Sequence, residues 1–112
     1  MKDKGFPQRV KDQIDDRSHG WCEVCGEYRV AEHHHRRPRG MGGSRLDTTN
    51  VASNGLGVCG GCHRLIEHNR TVAKLHGWLV PQGTDPALRW VSYRGQRVLL
   101  DDDGGIEYLE AA

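Results

Sequence analysis

Two cysteine pairs and a run of histidines carry most of the chemistry available to this 112-residue chain. Cys22 and Cys25 form one C-x-x-C unit in "WCEVCGEY", and Cys59 and Cys62 form a second in "GVCGGCHR", with 33 residues between them. Two such units supply four thiolates, enough for a tetrahedral Zn²⁺ site with no open position, and hence for a structural ion. Gly26, Gly60 and Gly61 lie beside the knuckles, where a residue without Cβ eases a turn that aims two sulfurs at one ion. Two disulfides of a small secreted protein are the competing reading. The metal-ligand spacing and the charged, polar N-terminus, which offers no signal-peptide core, favour zinc. A thioredoxin-type redox pair is weaker still, because two like units suggest one shared site. The spacer exceeds the roughly 15–20 residues of a simple zinc ribbon, so something further is built between the knuckles.

That spacer holds His33, His34 and His35, followed by Arg36, Arg37, Pro38 and then Gly42 and Gly43. Asn54 stands five residues before Cys59, and His63 directly follows Cys62. The stretch "AEHHHRRPRGMGG … SNGLGVCGGCHRLIE" resembles the HNH endonuclease family, from the His-His pair with its Pro and Gly-Gly through the central Asn to the His after the second knuckle. The resemblance covers Cys22 to about Arg70, and the C-terminal stretch is similar, less specifically, to small HNH proteins of bacterial viruses. It implies an α+β fold with a ββα-metal (His-Me finger) core stapled by the four-cysteine zinc, and a metal-dependent DNA endonuclease. It implies DNA as partner and, by analogy, a role in phage DNA packaging beside a terminase.

Phosphodiester hydrolysis needs a water activated on one side and charge stabilisation at the phosphate and leaving oxygen on the other. A neutral imidazole serves the first need, a divalent cation the second. Adjacent strand residues point to opposite faces, so His34 and His35 cannot both be ordinary ligands of one ion. The family's division of labour implies His34 as ligand, His35 as general base, His63 completing the metal site and Asn54 tying the loop and holding the base. The cofactors are then a structural Zn²⁺ and one catalytic divalent cation (Mg²⁺, Mn²⁺, Ni²⁺, Co²⁺ or Zn²⁺). Glu67 lies four residues beyond His63, about 40° around a helix, and His68 about 140°, which favours Glu67 as the third protein ligand. Related enzymes often carry His at that position, so the ligand count stays open. His33 reads as a surplus strand-end residue. Arg36, Arg37, Arg39 and Arg45 crowd beside the site as candidate DNA phosphate contacts. A zinc-stabilised nucleic-acid-binding module without catalysis is the alternative; it has no need of an intact His34, His35, Asn54 and His63 set.

The elements that must position these residues are short. Val10 and Ile14 suit a weakly amphipathic helix in an N-terminal extension, residues 1–18, whose first half-dozen residues should be mobile. Tyr28–His33 reads as a strand, 38–50 as a loop, and Leu56–Val58 as a short returning strand. Cys62–His76 reads as one helix stopped by Gly77, which closes a core of residues 19–77. Residues 78–112 form a β appendage, with a hairpin around Gly95 and a turn at "DDDGG", and Trp78, Val80, Trp90, Val91 and Leu99 as its core. The whole is one domain, too small for a second core. Fifteen glycines, about twice the usual share of roughly 7%, leave little apolar material to stabilise it. Net charge is +1, but Arg29–Arg45 contains five arginines against Glu32 alone, a local basic patch suited to phosphate. No apolar run approaches the ~18 residues of a membrane span, so a cytoplasmic protein is expected, in the host cell if a phage encodes it. The zinc therefore supplies folding energy that the thin core lacks. A Cys59→Ser variant should lose zinc and unfold; unchanged zinc content and melting would refute the four-cysteine assignment.

Overall fold

The computed structural model describes residues 5–39 and 46–109. Over these residues the fold is α+β, with three α-helices, two short 3-10 turns and two sheets. Helix α1 spans Gln8–Ser18, followed by strands β1 (Glu32–His35) and β2 (Gly55–Val58), helices α2 (Gly60–His68) and α3 (Arg70–Leu75), and strands β3 (Val91–Tyr93), β4 (Gln96–Leu100) and β5 (Ile106–Tyr108). Strands β1 and β2 pair antiparallel, with His34 opposite Leu56 and His35 opposite Gly55. Strands β3, β4 and β5 form a separate antiparallel sheet.

The expected single helix over Cys62–His76 is two. Asn69 ends α2 and starts α3, its side-chain oxygen accepting from the Val72 backbone N–H at 3.3 Å. A short amide side chain that can bond nearby backbone competes with the helix ladder, so Asn is at home at a cap and poor in an interior. The strand expected over Tyr28–His33 is shifted, and β1 contains the histidines themselves.

Residues 8–18 are no loose extension. Phe6, expected to be mobile, is buried with Val10, Ile14 and Ala52. A Cβ at Gly55 would collide with Ile14, so a glycine there lets α1 lie directly on β2. Arg17 and Glu23, both with fully buried side chains, form a two-pronged ion pair at 2.7 and 2.8 Å. Arg17 also donates to the carbonyls of Ala52 and Gly55, and Glu23 accepts from the Gly57 N–H. Helix, first knuckle and β2 thus meet at one satisfied pair.

The larger core runs from Cys22 and Cys59 through Leu56, Val58 and Ile66 to Trp78, Val91, Tyr93, Val98 and Leu100. It is continuous from the cysteine cluster into the C-terminal sheet. In β4 the alternation turns Val98 and Leu100 inward, so Leu99, expected in the core, is only half-buried, as is Trp90.

Arg36, directly after β1, is wholly buried. It donates to the carbonyls of Gly77, Ser53, Pro86, Arg89 and, more weakly at 3.5 Å, Trp90. Every guanidinium N–H is thereby used. Burial, reinforced by the nearby charges of Arg17 and Arg89, pulls its pKa down to about 9, still above neutrality, so the charge persists. Replacement by an apolar side chain leaves several buried carbonyls unpaired, and breaking such a buried charged arrangement costs about 3–5 kcal/mol. Arg36→Met should therefore lower unfolding free energy by that order in a denaturant titration; an unshifted midpoint would show that the carbonyls find other donors.

Candidate metal centres

The first centre is the cysteine cluster. The Cys22–Cys25 knuckle turns through Gly26, whose φ of +73° suits a residue without Cβ and whose N–H returns to the Cys22 carbonyl at 2.8 Å. Gly60 and Gly61 play no such part, for they lie in the first turn of α2. Cys59 caps that helix, accepting from the Cys62 N–H, so the helix start itself sets the second pair. The Cys25 and Cys59 sulfurs stand 3.9 Å apart, and all four ligand sulfurs lie within 4.8 Å of one another. Zn–S bonds of about 2.3 Å imply sulfur–sulfur edges of about 3.8 Å in a tetrahedron. The four cysteines could therefore hold a structural ion such as zinc. Burial pushes the Cys22 thiol up, but the backbone N–H groups of Cys25, Cys59 and Val24 outweigh it and hold the group down at about 7. Burial raises the Cys25 and Cys62 thiols.

The second centre lies between β1 and α2. Strand alternation sends Glu32 and His34 toward α2 and His33 and His35 toward α1. His34 is 7% exposed, and its Nε2–H donates to the Trp78 carbonyl at 2.8 Å, which leaves Nδ1 as the nitrogen with a lone pair. His63 and Glu67, one turn apart on α2, complete the group, with ligand atoms of all three residues within 4.8 Å of one another. His68 is exposed and takes no part.

Glu32 escaped sequence reasoning. Its Oε2 lies 3.0 Å from His63 Nδ1, and the opposite nitrogen, Nε2, lies 3.6 Å from Glu67 Oε1. A carboxylate behind a ligating histidine sets its tautomer and aim and raises its basicity. The signal was present, since Glu32 is two residues from His34 in a strand and so shares its face.

His35 stands on the other face. Its ring stacks on Phe6, centroids 3.9 Å apart and planes within 6°, and its Nε2 lies 2.7 Å from Asn50 Oδ1. Neither partner was foreseen, since Phe6 arrives from the N-terminal segment and Asn50 from the loop. Asn54 is fully buried. Its Oδ1 accepts from the Arg37 N–H at 2.7 Å, and its Nδ2 donates to the carbonyls of Thr49 and Arg37. It ties the two ends of the loop together, and its own carbonyl takes the Arg36 N–H. The side-chain amide oxygen against His35 Nε2 is that of Asn50, not of Asn54. His33 pairs with Asp15 of α1 at 2.8 Å.

Two of the arginines expected at phosphate are sequestered. Arg36 is spent on carbonyls, as described above. Arg37, 3% exposed, donates to the Thr84 carbonyl and the hydroxyls of Thr48 and Thr49. Both are structural because the loop and the C-terminal segment fold over them. Arg39 is half-buried, and Arg45, with Gly42 and Gly43, lies outside the described residues. A cleft of about 330 Å³ opens over the centre, lined by its histidines and Glu67 together with Arg70, Pro38 and Leu79.

Comparison of the chain with protein-family profiles, curated proteins and solved structures returned no match. Among the described residues no helix is long and apolar enough to cross a membrane.

Burial, partly offset by the bond to the Trp78 carbonyl, lowers the His34 pKa to about 4. An unfolded histidine titrates near 6.5, so between those values the unfolded chain binds the extra proton. Without an ion in this centre, the His34 contribution to stability is complete above about pH 6.5 and lost as pH falls toward 4, by about 3 kcal/mol in all. Unfolding free energies of the parent and of His34→Gln, measured across that range, should diverge in slope. Parallel curves would mean that His34 is not held neutral.

Proposed function

We propose that the chain is a metal-dependent HNH endonuclease that hydrolyses DNA phosphodiester bonds, with a zinc-bound cysteine cluster as its structural staple. The observation that carries this reading is the division of two adjacent histidines between two settings. His34 is gathered with His63 and Glu67, whereas His35 is turned across the strand and held by Asn50 and Phe6. Phosphodiester hydrolysis calls for that pairing of a metal-ligating group beside a separate base.

His35 gives its Nε2–H to the Asn50 oxygen, so Nδ1 is the basic nitrogen. The imidazole takes a proton from the water that attacks phosphorus, and the Asn50 oxygen stabilises the imidazolium that results. Stacking on Phe6 keeps the ring from turning, which matters because a base works only at hydrogen-bond reach. His34, His63 and Glu67 would hold a divalent cation, which would neutralise charge at the phosphate and the departing 3′ oxygen. Two imidazoles and one carboxylate suit Mn²⁺, Co²⁺, Ni²⁺ or Zn²⁺ as readily as Mg²⁺, which prefers an all-oxygen shell. Asn54 closes the loop that carries Asn50, and so acts on the base through the loop. By analogy with small HNH proteins of bacterial viruses, such an enzyme acts in the host cytoplasm during DNA packaging, beside a terminase.

Conversion of supercoiled plasmid to open or linear circles, with each of these metals and an EDTA control, tests the reading. No conversion under any metal would favour the non-catalytic nucleic-acid-binding alternative. In that assay His35→Ala should keep its zinc and its binding of the second ion but cut about 10²–10⁴-fold more slowly, without rescue by excess metal. His34→Ala should lose affinity for the ion and recover in part when metal is added. The reverse pattern would exchange the two roles.

A further inference from the structure

The sequestration of Arg36 and Arg37 leaves the cleft with one cation among its described lining residues, and that cation was in no sequence-based set. Arg70 opens α3, seven residues after His63 and three after Glu67, and the short break at Asn69 keeps it on the cleft side of the helical segment. Its Nη1 lies 4.0 Å from Glu67 Oε2, and both side chains are about half exposed. A solvent-exposed pair at that separation contributes little net attraction, so it commits neither partner. Arg36, by contrast, has every N–H used, and Arg37 spends both terminal nitrogens on Thr48, Thr49 and Thr84.

We propose that Arg70 is the guanidinium that contacts the phosphodiester held at the His34–His63–Glu67 centre. The geometry gives three supports. Arg70 lines the same cleft as all three of those residues. Glu67, within reach of Arg70 on one oxygen, faces His63 Nε2 with the other at 3.6 Å, so a phosphate oxygen at the ligand cluster lies within a side-chain movement of the guanidinium. An exposed guanidinium also presents two parallel N–H groups, which match two phosphate oxygens, and a charge-assisted bidentate contact outweighs the loose pair with Glu67. Arg70 turning to the diester would leave Glu67 to be held with His34 and His63 on a metal ion. The proposal rests on the endonuclease reading, and it puts a helical arginine at the phosphate where Arg36 and Arg37 are spent on the fold.

The test uses a short duplex and the cleavage-deficient His35→Ala protein with Mn²⁺, followed by fluorescence anisotropy across a salt series. Adding Arg70→Ala should weaken duplex binding about tenfold and reduce the slope of log affinity against log salt by about one, the mark of one lost phosphate contact. Arg70→Lys should retain part of the affinity, as a point charge without the planar fork. Mn²⁺ binding measured without DNA, and thermal melting, should be no weaker than in the parent. Unchanged duplex affinity and salt slope in Arg70→Ala would overturn the assignment. So would weakened Mn²⁺ binding in that variant, since Arg70 would then act only by holding Glu67. If the His35→Ala parent itself failed to bind duplex, the nucleic-acid reading would fall first, and Arg70 with it.

Discussion

One buried cation organises this small protein. Arg36 leaves β1 directly after the histidines and draws carbonyls from the turn before β2, the end of α3 and the segment leading into β3. A chain with so many glycines and so few large apolar residues cannot hold those segments by packing alone. Backbone carbonyls converging on one side chain must be satisfied by it or left to bear their desolvation cost, so the arrangement is close to all-or-none. Its Nε and Nη groups therefore fix the direction in which the strand ends, and with it the places of His34 and His35.

Helix α2 joins the two centres through a single rigid element. Its cap and first turn present Cys59 and Cys62, and the following turn presents His63 and Glu67. Ordering of the cysteine cluster thus orders one side of the cleft as well. The opposite side is set by β1, whose alternation separates His34 from His35 without any side chain having to be strained. Polar neighbours then refine the aim, with Glu32 behind His63, the Trp78 carbonyl behind His34 and Asn50 beside His35.

The N-terminal helix belongs to this machinery through contacts that are individually ordinary. Phe6 lies flat on His35, Asp15 meets His33, and the Arg17–Glu23 pair locks the helix to the first knuckle and to β2. Gly55 permits the approach. Removing charge from the interior at Arg17 or Glu23 would leave its partner buried and unpaired, which is why such pairs matter more for the geometry they impose than for net stability.

Composition and spacing alone determined a good deal here. Two C-x-x-C units specify a four-sulfur cluster, because spacing of that kind is local and survives any arrangement of the rest. The two-residue strand period separates His34 from His35, and the helical period selects Glu67 over His68, again because both rules are local. Tertiary structure decided what depends on distant segments meeting. The arginines after the histidines looked like a basic surface, yet residues 77–90 fold over Arg36 and Thr84 and the loop threonines enclose Arg37, so neither is offered to solvent. Phe6 and Asn50 reach His35 from opposite directions along the chain, and no periodicity links them to it. Arg70 gains its place for the same reason: charge is visible in a sequence, but whether a charge is spent on carbonyls or left facing a cleft is settled only when the chain closes.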